Sequence, residues 1–357
     1  MFLAWNEIKH NKGRYFLITG VIFLIAYLVF LLSGLAYGLA QESRMYVDNW
    51  KATAIILNKD ANKNLTASQL SQNDLDKVSA DEKATILSTS SIIQIKGKED
   101  TKNNVNIFGI QPKSFIAPNI VEGRMFTKDN EVVMDKSLAE LNHYRIGDKV
   151  LFTGCNQIMK IVGMTEGNMY SMAPTIYMNK ATYQEIKPPA PTAKETINGI
   201  VVRARDLKDI KVKDDQLQVI DIKTFINKLP GYSAQIMTFT FMIAFLIIIS
   251  AIVIGIFIYV LTMQKKQVFG VMKIQGIPTS FISKSVVIQT GLLAIIGVVV
   301  GLVATVGTDL ALPAAVPFEL NIPLMLVVAI LMIVIAIMGS IFSVRSIAKI
   351  DPLQALG

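Results

Sequence analysis

Histidine and cysteine are almost missing from this sequence. Its 357 residues include only His10, His143 and Cys155. One cysteine cannot close an internal disulfide. Cys155 reads as a small, half-buried side chain on a strand, with a reactive or intermolecular thiol as the alternative. Two histidines, one on each side of the membrane by the topology derived below, leave no His-based metal site within the chain. Catalytic signatures are missing as well: there is no G-x-S-x-G, no H-E-x-x-H and no phosphate-cradling G-x-x-x-x-G-K-[ST]. Asp74, Asp76, Asp81 and Glu82 sit in polar turns and helix starts, where solvation or capping explains them better than acid–base work. Energy-dependent work by such a chain draws on a nucleotide hydrolysed by a separate partner, and no intrinsic cofactor or metal is expected. A membrane-anchored enzyme ranks last among the readings, since no catalytic set is found. No basic patch interleaved with aromatics points to nucleic acid.

Charge is missing from four blocks. Residues 15–40 (YFLITGVIFLIAYLVFLLSGLAYGLA), 236–263, 286–308 and 324–344 contain no Asp, Glu, Lys or Arg. Each meets or exceeds the roughly 20 residues that a helix needs to cross hydrocarbon. The first block is too long for the apolar core of a signal peptide, and no convincing cleavage site follows it. The sequence therefore predicts an α-helical membrane protein with four transmembrane helices and a mixed α+β extracytoplasmic domain, residues 41–235, inserted between helices 1 and 2. The flanks fix the expected orientation. Residues 1–14, the 264–285 loop and the 345–357 tail carry Lys9, Lys12, Arg14, Lys265, Lys266, Lys273, Lys284, Arg345 and Lys349 against only Glu7 and Asp351. Such enrichment marks cytoplasmic ends. The inserted segment has a nearly balanced charge, and the 309–323 connection holds only Asp309 and Glu319. The formal net charge of +8 is mostly a topology signal. Helix interiors without ionisable residues argue against an ion or proton relay.

Within 41–235 the pattern changes to short β-rich runs. NNVNIFGI, EVVMD, KVLFT, MKIVGM and TIYMNK read as strands, with turn signals YRIGDK and TGCN between them and a short helix over KSLAELN. An earlier strand, AIILN, leads to Asn- and Ser-rich turns and a helix expected to start at Thr66 or Ser68. The last part, IVVRARDLKDIKVKDDQLQVIDIKTFINKL, reads as strand, charged helix, strand and a helix running toward the membrane.

The loop QKKQVFGVMKIQGIPTSF, residues 264–281, is too well formed to be a linker. It is basic and amphipathic, and a stiff amphipathic helix can present one face to a groove. Val268, Val271, Met272 and the residues 274–277 would supply that face, and Gly270 permits close approach. Gly276 with Pro278 would end the helix. A helix lying on anionic lipid is the alternative.

Three stretches, LAWNEIKHNKGRYFL, KKQVFGVMKIQGIPTSFI and SIAKIDPLQALG, resemble the MacB/FtsX-type permeases of ABC transporters. VEGRMF, NEVVMDKSLAE and YRIGDKV in the inserted domain are similar to that family too. The resemblance implies a cytoplasmic amphipathic helix over 1–14 and a 264–285 element docking on a cytoplasmic ABC ATPase, with Lys266, Val268, Gly270, Met272, Lys273 and Gly276 as coupling residues. It also implies a homodimer of permease chains in a bacterial plasma membrane. Gly34 with Gly38, and Gly297 with Gly301, form small-xxx-small pairs suited to close contact between helices. These pairs are candidate dimer surfaces.

The compact outer domain and the LSGLAYGLAQES junction are similar to haem-efflux permeases of the HrtB type in Gram-positive bacteria. By that resemblance haem is the substrate, and Tyr170 and Tyr232 are its binding tyrosines, with Trp50 at an aromatic position near the top of helix 1. Tyr46, Met45 and Glu42 are further candidates. Phenolate suits ferric haem iron, and histidine is scarce here. Packing accounts equally well for Tyr170, and an interfacial aromatic belt for Tyr46, Trp50 and Tyr232. A different reading of the same scaffold is an FtsX-like or peptide-sensing permease that acts on an extracellular partner without moving a solute.

Overall fold

The structure is a computed structural model that describes residues 12–96, 98–155, 157–188, 196–313 and 316–348. Residues 1–11 of the expected amphipathic helix and 349–357 of the tail lie outside the described residues. The chain divides into two compact units, residues 1–38 with 237–357, and residues 39–236.

The first unit is helical. Among the described residues, four helices are long and apolar enough to cross a membrane: α1 (Lys12–Asn49), α5 (Tyr232–Gln264), α7 (Thr279–Ala311) and α8 (Ile322–Ala348). α1 buries Tyr15, Ile18, Ile22, Ala26, Val29 and Phe30, a stripe at spacings of three and four. That stripe meets Ala294 and Val298 of α7, Ile254 and Ile258 of α5, and Met325 and Met332 of α8 in one core.

The small residues have a different partner from the one expected. A Cβ added at Gly297 would lie 2.7 Å from Ile22 Cγ2, and one at Gly301 would lie 3.0 Å from Ala26 Cβ. Higher in the same pair of helices, Tyr27 Oη and Thr308 Oγ1 share a 2.8 Å hydrogen bond. The register rises together, so α1 and α7 run parallel, as the first and third passes of a membrane chain must. Gly34 and Gly38 lie against Phe318 and Pro317 of the connection between α7 and α8. All four glycines are thus used inside one chain, and the expectation that they form dimer surfaces is corrected. Without water in the bilayer, close van der Waals packing is the main attraction between helices, and glycine permits it.

The second unit is built on a ten-stranded mixed sheet. Its path begins β14 (Leu217–Asp221), β1 (Ala54–Asn58), β12 (Gly199–Arg203), β4 (Glu82–Ile95) and β5 (Lys98–Gly109). It continues through β10 (Thr175–Met178), β7 (Glu131–Asp135), β9 (Ile158–Thr165) and β6 (Ile120–Gly123). β8 (Lys149–Phe152) bridges β9 back to β4, which closes six strands into a ring. Both faces are covered, and side-chain alternation sorts residues between two cores. Ala54, Ile56, Ile107, Met134, Ile176 and Ile200 enter one; Ile55, Leu57, Phe108, Val133, Tyr177 and Val201 enter the other. The strands read from EVVMD, KVLFT, MKIVGM and TIYMNK are present, and KSLAELN forms α2 (Lys136–Asn142).

Two sequence expectations fail here, and one strand is missed. The helix at Thr66 or Ser68 does not form: the Asn64 side chain accepts from Thr66, and Ser68 Oγ accepts from the Asn58 N–H at 2.9 Å. A 3-10 turn opens later, over Gln72–Lys77, from a Ser71/Asp74 capping box. The charged helix after β12 is only a three-residue 3-10 turn, Leu207–Asp209, because Lys211–Val212 then pair with Val78–Ser79. The longest strand, β4, goes unnoticed in the sequence.

Gly301→Leu forces a side chain against Ala26 and is expected to cost about 1–3 kcal/mol of stability. Gly307, with open space around its Cβ position, is the control: Gly307→Leu should leave the melting temperature in detergent near that of the native chain. Equal melting temperatures for both variants would refute the α1–α7 contact.

Candidate functional site

Two regions gather the sequence candidates. The first is α6 (Lys266–Ile274). Its apolar residues split between two sides: Phe269 is buried and Met272 packs on the helical core, whereas Val268, Val271 and Ile274 are exposed. Gly270 is buried, and Lys266 and Lys273 are half-buried. The helix stops by a Schellman motif. Gly276 adopts φ +82°, its N–H donates to Lys273 O at 3.0 Å, and the Ile277 N–H donates to Met272 O at 3.0 Å. Pro278 then caps α7, so Gly276 and Pro278 end one helix and begin the next within three residues. At the other end Lys265 Nζ donates to Tyr15 Oη at 2.7 Å, with the ammonium 5.4 Å from that ring centroid. The element is therefore tied to α1 at its start and to α7 at its end, and it shows an apolar face.

The second region is the end of α1. The buried stripe of α1 continues through Ser43, Tyr46, Val47 and Trp50. Tyr46 packs on Trp50, Phe108 and Tyr177 with ring centroids 5.2, 4.6 and 5.0 Å away. Tyr170 meets Phe108 edge-on at 5.2 Å, and Trp50 stacks on Phe225 at 6.1 Å. Tyr232 joins the same cluster. Sequence reasoning found four of these aromatics but not their partners Phe108, Tyr177 and Phe225. The three-four stripe carried past Ala40 was the signal for an aromatic core there.

A loop segment clamps this end of α1. The Tyr46 N–H donates to Met169 O at 3.1 Å, and the Ser171 N–H donates to Ser43 O at 3.0 Å. Between those bonds Tyr170 and Ala173 exchange both backbone hydrogen bonds across Ser171 and Met172, each at positive φ. This two-residue turn has the handedness that glycine or asparagine usually supplies.

The substrate candidates thus separate. Tyr46, Trp50, Tyr170 and Tyr232 are buried, and burial pushes the Tyr170 hydroxyl well above its ordinary pKa. Its phenolate is disfavoured as packed. Glu42 and Met45 are half-buried instead. Among the described residues no group of three or more His, Cys, Asp or Glu side chains is placed to hold a metal.

Comparison with known proteins matches these parts. The MacB-like periplasmic core domain matches residues 16–219, more than half of the chain, and the FtsX-like permease C-terminal domain matches 240–352. The chain belongs to the MacB/FtsX-type ABC transporter permeases. A putative hemin transport system permease protein HrtB of Staphylococcus haemolyticus is 29% identical to this permease over 359 residues, covering 100% of this chain and 99% of that one. A protein of the same description from Staphylococcus epidermidis is 29% identical over 362 residues, with the same coverage. An uncharacterised ABC transporter permease of Mycobacterium tuberculosis is 23% identical over 361 residues, again covering 100% and 99%. Among solved structures, the extracellular domain of the noncanonic ABC-type transporter YknZ from Gram-positive bacteria covers 47% of this chain and all of its own, at 12% identity and TM-score 0.35. The periplasmic region of MacB from Actinobacillus actinomycetemcomitans covers 48% of this chain and 90% of its own, at 15% identity and TM-score 0.33.

Among the described residues the buried Tyr46 hydroxyl makes no well-formed hydrogen bond, and the Trp50 indole lies close to it. Removing an unsatisfied buried polar atom is neutral to favourable, whereas losing the ring leaves a cavity. Tyr46→Phe should therefore match or exceed native stability, and Tyr46→Ala should lose about 3–5 kcal/mol. Thermal unfolding of the permease reads both, and a strongly destabilised Tyr46→Phe would disprove the packing role.

Proposed function

We propose that this permease exports haem, or a similar hydrophobic amphiphile, from the membrane as a homodimer driven by a separate cytoplasmic ABC ATPase. Both termini and α6 are cytoplasmic in this reading, and the inserted domain faces outward. The carrying observation is the geometry of α6: a short helix, stopped sharply at its C-terminal end, that packs one side on the core and exposes Val268, Val271 and Ile274. An apolar face on a stiff helix fits a groove on a partner. ATP-driven closure of the partner would move α6, and the tie to Tyr15 and the Pro278 junction would pass the displacement to α1 and α7. α1 continues into the inserted domain, so the displacement reaches the Tyr46–Trp50 cluster. Nothing in the spans needs to ionise for this to work.

Homodimer formation is supported by α5, which leaves Phe241, Phe245, Ile248, Ile252 and Ile256 exposed within one chain. The haem substrate is supported by full-length similarity to proteins described as putative hemin transport system permeases. Substrate arriving laterally from the outer leaflet would first meet Glu42 and Met45, with Tyr170 and Tyr232 reached only if the aromatic cluster opens. Burial of those tyrosines favours a second reading, in which the inserted domain acts on an extracellular protein and carries no solute.

Charging the α6 face tests the coupling. Val268→Asp with Val271→Asp should abolish permease-dependent stimulation of ATP hydrolysis, by tenfold or more if about 1.4 kcal/mol or more of docking energy is lost, while each subunit still folds. Unchanged stimulation would sink the coupling assignment. Ferric haem titration with absorption and resonance Raman spectra tests the substrate. Saturable binding is expected, lost in Glu42→Gln with Met45→Ala and kept in Tyr170→Phe with Tyr232→Phe. The opposite pattern would return ligation to the tyrosines, and no saturable binding in any form would leave the second reading.

A further inference from the structure

An open groove of about 480 Å³ runs along the last turns of α1 and the start of α4 (Ile222–Asn227). Its floor is apolar, with Val47, Ile222 and Ile226. Its rim is cationic, with Arg44, Lys51 and Lys223. Two carboxylates also line it, but both are engaged. Asp48 binds Arg44 through both oxygens, at 2.6 and 2.7 Å, and Asp221 caps α4 by accepting the Thr224 N–H at 2.8 Å. Among the described residues the Lys51 and Lys223 ammonium groups have no ion-pair or hydrogen-bond partner. Lys51 follows the end of α1 at φ +47°, a backbone position that glycine occupies with less strain.

The groove's place in the chain narrows what it holds. Arg44 is four residues beyond the apolar block that ends at Ala40, on the same helix, about 6 Å along its axis. The headgroup layer of a bilayer is roughly 5–8 Å thick on each side. Lys223 precedes α5, the next membrane-crossing helix, by nine residues. An apolar floor beside unpaired cations, at headgroup depth, matches a ligand with a phosphate anion next to apolar glycerol ester and chain.

We infer that this groove binds the headgroup of an anionic phospholipid, with the phosphate at Lys51 and Lys223, beside the Asp48-paired Arg44, and the glycerol end over Val47, Ile222 and Ile226. A lipid held there would seat the end of α1 at the bilayer surface. The inference is independent of which solute the permease moves.

The test uses the full-length permease in detergent, titrated with phosphatidylglycerol or phosphatidylcholine and read by native mass spectrometry. Phosphatidylglycerol should be retained preferentially. Each cation near an anionic surface contributes about fivefold in affinity, so Lys51→Gln with Lys223→Gln should weaken phosphatidylglycerol binding by roughly 25-fold. Both lysines are exposed, so the variant should melt like the native chain, and Lys51→Glu with Lys223→Glu should weaken retention further. Three results would overturn the inference: equal retention of both lipids, unchanged affinity in the double variant, or displacement by millimolar inorganic phosphate, which would mark a free-anion site.

Discussion

Everything in this permease hangs on the continuity of α1. A helix of 38 residues is about 57 Å long at 1.5 Å per residue, nearly twice the roughly 30 Å of hydrocarbon in a bilayer. A span must satisfy its backbone internally wherever water is absent, and unbroken α-helix does this along the whole apolar block. Beyond that block the same helix needs a protein environment for its apolar stripe. The inserted domain supplies it: Ser43, Tyr46, Val47 and Trp50 extend the stripe that began at Tyr15, and the 169–171 segment adds backbone hydrogen bonds to the helix itself. α1 therefore contributes residues to both compact units.

The remaining contacts follow from keeping α1 stiff and closely held. In the helical unit, glycine at 297 and 301 lets α7 come against α1 at Ile22 and Ala26, and the Tyr27–Thr308 hydrogen bond fixes the register. In the inserted unit the sheet is buried on both faces, so its strands cannot slip by one residue without sending Tyr177 and Phe108 to the opposite core. The aromatic cluster that receives α1 is thereby held in place by the sheet register.

How far this was legible depends on which interaction dominates each element. The spans were legible because their signal is a long run without charge. EVVMD and MKIVGM were legible because strands buried on both faces read as continuous apolar runs. β4 was not, since its middle, Ser88–Ser91, is polar. Its pairing with β5, the hydrogen bond that the Ser88 N–H donates to Asn198 Oδ1 and the one between Ser90 and Asn106 hold it, and those partners are remote in sequence. The helix expected at Thr66 or Ser68 failed for a related reason: the side chains that suit a cap were used to bond a neighbouring loop. The glycine pairs announced close approach but not the identity of the approaching helix. At the site, α6 was legible because its two terminators, Gly276 and Pro278, are local. The burial of Tyr170 was not, because it comes from Phe108, set beside it only by the sheet.

This distribution bears on mechanism. A permease that moved its substrate by ion exchange would need ionisable groups in its spans, and they would require partners within hydrocarbon. The spans here instead spend their polar side chains on their own backbones: Ser33, Thr262, Thr290 and Thr305 each donate to the carbonyl four residues earlier. Such bonds satisfy the hydroxyls without creating a path for charge. What holds the helical unit together is packing, with Lys265 on Tyr15 and α7 on α1. Packed interiors resist continuous deformation, so in the proposed mechanism a displacement at α6 would be accommodated where packing is least complete. The described residues place that slack at α5, whose most apolar stretch is only 17% buried within the chain against 50% for α7. In the proposed mechanism, motion passed from α6 to α1 and α7 would be absorbed at this helix, the one best able to shift against lipid or a second copy.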